Sequence, residues 1–222
     1  KPLTIADILT RRDQFQPARQ DVINLGYEDT SAWVHLQLTN QSQQSTVPRW
    51  ILEIAFARLS TVDIFLVRNG NIVHQASIGN EKPMSVRTLP HHFFAEPLLL
   101  EPGQPYDLYL NIRRTGGGIQ IPLRLYRPDA FTDHVAQLNA VHGIYIGIMF
   151  AMLVYNTFLL LSVGNRAYFY YILHIAGAGL TFQIVYGYAF KYLWPETPQL
   201  NDYAIQIVVT SAALAGLAFT RH

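Results

Sequence analysis

The chain has 222 residues, half of them hydrophobic, a formal net charge of +1 and no cysteine. The missing thiols exclude disulfides and thiolate chemistry, and the absence of a dense basic cluster excludes a groove that tracks nucleic-acid phosphates. Of the 16 basic and 15 acidic residues all but Arg166, Lys191, Glu196, Asp202 and Arg221 precede residue 141, so one part of the chain is built for water and the other for lipid.

The opening residues Lys1 to Thr4 carry no apolar core of a signal peptide, so such a peptide is expected to have been removed or to precede them. Ile5 to Phe15 reads as a short helix. Ala32 to Thr39 alternates apolar and polar residues at period two, which predicts a strand with one face buried, and Asn40 to Ser45 breaks it. Trp50 to Phe56 is a second strand. Asp63 to Val67 and Ile72 to Ala76 flank Arg68-Asn69-Gly70-Asn71, where an Asn-Gly pair supplies the positive φ angles of a tight hairpin turn. Phe93 to Leu100 is a further strand, and Pro97 predicts an edge or a bulge. Tyr106 to Ile112 and Gln120 to Tyr126 are expected to flank a turn at Gly116-Gly117-Gly118, with Pro102-Gly103 turning the chain before them. Many short strands and no long amphipathic helix predict an all-β sandwich or jelly roll over residues 1–128.

Asp129 to Leu138 turns polar and helical, within a connector 129–140 that feeds the first of three apolar runs. Val141 to Val163 and Tyr168 to Phe190 are uncharged and 23 residues long. At ~1.5 Å per residue each spans roughly 34 Å, enough to cross a hydrocarbon layer of ~30 Å. Tyr203 to Phe219 is the third, and the chain ends shortly after it, so it reads as cut short. Arg166 in the first short connection and Arg221 after the third run place those ends in the cytoplasm by the positive-inside rule, and residues 1 to about 138 outside.

Small residues four apart let helices approach closely, so Gly143 with Gly147 and Ala212 with Gly216 are expected packing seams. Asn156, His174, Gln183 and Gln206 are polar in apolar runs and are expected to hydrogen-bond between helices; an imidazole could also sense pH. In the β domain Trp33 and Tyr109 offer rings for a ligand to stack on, and Arg87, His92 and Arg113 offer polar groups. A buried core ring and a solvated strand face are the plain readings of these five residues, as they are of Trp50, Tyr106 and Tyr126. His91 and His92, read as neighbours in a strand, point to opposite faces and do not chelate one ion, so no metal is expected. Gly116-Gly117-Gly118 lacks the lysine of a phosphate loop, Ser77 lacks a nucleophile elbow, and no catalytic motif or cofactor is read.

The order of features carries a resemblance: a strand opening with Trp33, the Asn69-Gly70 hairpin, Tyr106-Asp107-Leu108-Tyr109-Leu110-Asn111-Ile112, Ile121-Pro122-Leu123, Gly143-Ile144-Tyr145-Ile146-Gly147, Leu153-Val154-Tyr155-Asn156 and Tyr168-Phe169-Tyr170-Tyr171. Over nearly its whole length the chain resembles the bacterial seven-transmembrane receptors with diverse intracellular signalling modules, with their type 2 extracellular domain and first membrane helices. That resemblance implies a jelly-roll sensor similar to carbohydrate-binding modules, seven helices of which three are present, and a cytoplasmic output such as a diguanylate cyclase, phosphodiesterase, kinase or phosphatase. The expected function is that of the receptor portion of a bacterial inner-membrane signalling protein. Its periplasmic domain would bind a small ligand such as a carbohydrate, and its partners would be the lipid bilayer and a second copy in a homodimer. The alternative is an envelope scaffold whose β domain grips a partner protein.

Overall fold

The computed structural model describes residues 3–18, 23–24, 31–42, 49–114, 118 and 120–221, and it divides into two compact units, Lys1–Asp129 and Ala130–His222. The first unit opens with a short helix, α1 (Ile5–Leu9), and a 3-10 turn over Arg12–Gln14 where one longer helix was expected. Among the described residues nine strands follow: β1 (Ile23–Asn24), β2 (Ala32–Thr39), β3 (Arg49–Ile54), β4 (Thr61–Arg68), β5 (Asn71–Ile78), β6 (Phe94–Leu99), β7 (Pro105–Arg113), β8 (Gln120–Ile121) and β9 (Leu123–Tyr126).

They form a four-stranded sheet in the order β2-β7-β4-β5, a three-stranded sheet β6-β3-β9 and a short β1-β8 ribbon, with every pair antiparallel. Val62, Ile64 and Leu66 of β4 and Leu108, Leu110 and Ile112 of β7 pack against Leu52 and Ile54 of β3 and Phe94 and Leu98 of β6. The unit is thus an antiparallel β-sandwich whose core lies between the two sheets. Fully burying each such side chain contributes ~1.5–3 kcal/mol.

The Asn-Gly turn is as expected, with Asn69 at φ 50° and Gly70 at φ 79° between β4 and β5. Pro97 lies in β6, an edge strand, where its missing N–H is harmless. The expected strand Gln120 to Tyr126 is two strands. Pro122 separates β8, which pairs with β1, from β9, which pairs with β3, because proline cannot continue a ladder. β7 pairs with β2 and β4 and not with the segment after the glycines; Gly116 and Gly117 lie outside the described residues.

The second unit is helical. With its first two residues in the other unit, α2 runs unbroken from Pro128 to Val163; α3 covers Arg166–Val185, α4 covers Tyr188–Tyr192 and α5 covers Gln199–Thr220. Helices α2, α3 and α5 are long and apolar enough to cross a membrane. The expected second run, Tyr168 to Phe190, is interrupted because Gly187 takes a left-handed conformation at φ 79° and caps α4.

The close seam joins α3 and α5. A Cβ on Gly177 would stand 2.7 Å from the Ala212 side chain, and one on Gly216 would stand 3.0 Å from His174. Gly143 and Gly147 are not a seam between described helices, since a Cβ on either meets nothing within 4 Å. Their face of α2 is open, and α2 instead touches its neighbours through long side chains such as Tyr145 on Phe182. His174 Nδ1 lies 2.8 Å from the Ala212 carbonyl oxygen across the seam. Asn156, expected to bond between helices, donates instead to Met152 O of its own helix at 2.8 Å.

Candidate functional site

Strand alternation gives the four-stranded sheet two faces. Even-numbered residues of β2, β4 and β7 enter the core, and odd-numbered residues form the outer face. On that outer face the register lines up one residue from each strand: Trp33 opposite Asn111, Asn111 opposite Asp63, and Asp63 opposite Ser77. The next row is His35, Tyr109, Phe65 and Gln75.

A register shift between Leu66 and Val67 puts a polar residue at the β5 end of the first row. Without that bulge Ala76 would stand opposite Asp63; with it, Ser77 does. Ser77 donates its hydroxyl to Asp63, and Asn111 donates to the other Asp63 oxygen at 3.4 Å. Lys82 donates to Ser77 Oγ at 2.5 Å and to its carbonyl at 3.2 Å. Arg113 is on the same face and forms an ion pair with Glu81 at 2.8 Å.

The second row is covered at His35, Tyr109 and Phe65, while Gln75 stays exposed. Ile8 of α1 packs with Phe65, Val67 and Tyr109, and Ile5, Leu9 and Phe15 complete that cluster. Phe15 sits 5.4 Å from the His35 ring and 6.1 Å from the Tyr109 ring, while Arg12 forms an ion pair with Asp107, which also holds His35 Nε2 at 2.9 Å. Burial raises the Tyr109 phenol pKa, with nearby Arg12 acting in the opposite direction. Thr4 and Asp7 form a capping box that starts α1, and the backbone hydrogen bond from Thr4 is the main reason the Asp7 carboxyl lies below its ordinary pKa.

Trp33 stands at the border of the two rows. Its ring stacks on Phe65 at 5.9 Å and lines a cleft of about 280 Å³ against Leu3, Ile8, Arg11 and Phe15. Trp33 Nε1 and Asn111 Oδ1 are buried with no hydrogen-bond partner among the described residues. Each such atom costs ~1–3 kcal/mol in lost solvation. One is a donor and the other an acceptor, on neighbouring strands of one row.

Of the expected ligand residues, Trp33, Tyr109 and Arg113 therefore share a face, and Arg87 and His92 do not. Arg87 lies in the loop before β6, with its guanidinium 4.7 Å above the Phe94 ring, and donates to the carbonyls of His91 at 3.0 Å and Phe93 at 3.1 Å. Burial lowers its pKa to about 10. His91 and His92 precede β6 and are not strand neighbours, so their rings lie together, 4.2 Å apart, and do not point to opposite faces. His91 Nε2 is 3.1 Å from the fully buried Glu53 carboxylate. No group of three metal-binding side chains occurs among the described residues. Asp63, Asn111, Ser77 and Lys82 escape sequence reasoning; the available signal was the polar residues at odd positions of an otherwise apolar β7.

Residues 1–127 match the family described as 7TMR-DISM extracellular 2, and residues 138–222 match the one described as 7TM diverse intracellular signalling. No curated protein matches the chain.

Proposed function

Since the chain belongs to the 7TMR-DISM receptors, with an extracellular sensory domain ahead of membrane-spanning helices, we propose that it senses a small hydroxyl-bearing ligand, a carbohydrate, on the outer face of its four-stranded sheet. The domain lies in the periplasm and the helices in the inner membrane of a bacterium, and binding is passed to a cytoplasmic signalling domain.

The observation that carries the reading is the Trp33-Asn111-Asp63-Ser77 row. A hydroxyl both donates and accepts, so a single sugar hydroxyl satisfies Asn111 Oδ1 and Trp33 Nε1 together, while Asp63 and Lys82 address its neighbours. Trp33 lines the cleft under the amino-terminal segment and packs against the cluster of Ile8 and Phe65, so a ligand that reaches its Nε1 binds a form of the domain in which Leu3 to Phe15 has shifted. Such a ligand has different affinities for two arrangements, the condition for shifting an equilibrium between them.

The test is a thermal-shift screen of the full chain in detergent against monosaccharides and disaccharides, repeated with Trp33→Ala and Asn111→Leu. At least one sugar is expected to stabilise the first unit, by ~2.7 kcal/mol at a hundred times its Kd, and both variants to abolish the effect. A chain that ignores every sugar but is stabilised by a partner protein would instead support the scaffold reading.

A further inference from the structure

A second cleft, of about 370 Å³, opens where β5, the edge of one sheet, meets β6, the edge of the other. One end of it is charged: Arg68 Nη1 donates to Glu101 Oε2 at 2.5 Å, the Arg68 guanidinium lies 5.7 Å above the Tyr106 ring, and the Glu101 N–H donates to the Tyr106 hydroxyl at 3.2 Å. The other end holds His74, whose Nε2 is 3.0 Å from Oε1 of Glu96, a carboxylate only 2% exposed. Between them stand Val73 and Leu99, apolar side chains that are 52% and 59% exposed.

The combination narrows the ligand. Glu101 disfavours a simple anion, and Arg68 disfavours a simple cation. Tyr106, covered by Arg68 and 4% exposed, presents no open ring face for a sugar to stack on. A molecule that carries both charges on adjacent atoms meets both groups at once, and an aliphatic branch on the same carbon covers Val73 and Leu99. Exposed ion pairs are weak, so parting Arg68 from Glu101 costs little, and each then gains a charged partner in a walled cleft.

We propose that this edge cleft binds a free aliphatic α-amino acid, its carboxylate on Arg68 and its ammonium on Glu101. The site shares no residue with the sugar row and stands or falls independently of it.

The test is calorimetric titration of the full chain in detergent with leucine, N-acetyl-leucine and leucinamide, the last two each lacking one charge. Leucine is expected to bind, and each blocked form to bind at least about tenfold more weakly. In Glu101→Gln the difference between leucine and N-acetyl-leucine is expected to vanish while leucinamide stays disfavoured. In Arg68→Gln the reverse is expected, and Trp33→Ala is expected to leave all three affinities unchanged. The proposal is overturned if leucine shows no binding up to about 10 mM, or if the penalties for blocking either charge persist in the matching variant.

Discussion

The two units use the same apolar residue types in opposite directions. In the sandwich, Leu108, Leu110 and Ile112 are buried to 1% exposure or less, and charged residues lie mainly outside. In the helices, Ile144, Phe150 and Leu161 are 65%, 65% and 80% exposed, while the close contact between α3 and α5 is made by Gly177, Ala212, Gly216 and His174. Large apolar side chains leave water by entering a core, but lipid already provides that environment, so helix contacts depend on close backbone approach and a few polar bonds.

The largest break in this contrast is expected from Leu110→Ala set beside Leu161→Ala. The first opens a cavity in the sandwich and is expected to cost ~2–5 kcal/mol; the second faces lipid and is expected to cost under ~0.5 kcal/mol. Differential scanning calorimetry of the full chain, following the transition of each unit, measures both, and equal costs would contradict the two-solvent account.

Next comes a charge inside the sandwich. His91→Phe removes a hydrogen-bonded partner from Glu53, which is 0% exposed, and is expected to cost ~3 kcal/mol in urea unfolding. Adding Glu53→Gln is expected to return part of that loss, because the buried carboxylate is then neutral.

In the membrane unit, Gly177→Leu drives a side chain into Ala212 and is expected to cost ~1–3 kcal/mol of α3–α5 association. Gly147→Leu, with open space before it, is expected to be silent. The chain has no cysteine, so an engineered cysteine pair across α3 and α5 reads the difference directly as crosslinking yield. If both substitutions act alike, the seam is misplaced.

The smallest effect concerns the segment over the sheet. Asp7 has its pKa lowered in the fold, so its capping contribution is present above the ordinary value of 3.8 and is lost as pH falls through and below it. Acidification from pH ~6 to ~3 is therefore expected to loosen α1 and redden the emission of Trp33, which lines the cleft beneath it. An unchanged Trp33 spectrum, compared against Trp33→Phe, would show that the cap does not hold the segment down.

Much of this architecture is readable from local pattern. Period-two alternation identifies β2, the Asn69-Gly70 pair identifies the β4-β5 hairpin, and long uncharged runs identify α2, α3 and α5, because each signal lies in consecutive residues. Errors fell where neighbours in space are distant in sequence. Gln120 to Tyr126 looks like one strand until its halves are seen to pair with different partners, and Gly143 with Gly147 looks like a seam until no described helix is found against it. Trp33 and Tyr109 were candidates on residue type alone, whereas Asp63, Asn111 and Ser77 were not, since each is ordinary until the sheet sets them side by side.

By itself, the amino-acid sequence determined that this protein lives in two solvents, that its first part is made of short strands and that its last part is made of membrane-length helices. Hydropathy and periodicity are sums over adjacent residues, and they need no knowledge of what packs where. Only the tertiary structure decided that a bulge at Leu66 and Val67 brings Ser77 to Asp63, that α1 lies over Tyr109, and that α3 meets α5 through Gly177. Those outcomes depend on register and on the shape of the facing surface, and both exist only once distant segments have met.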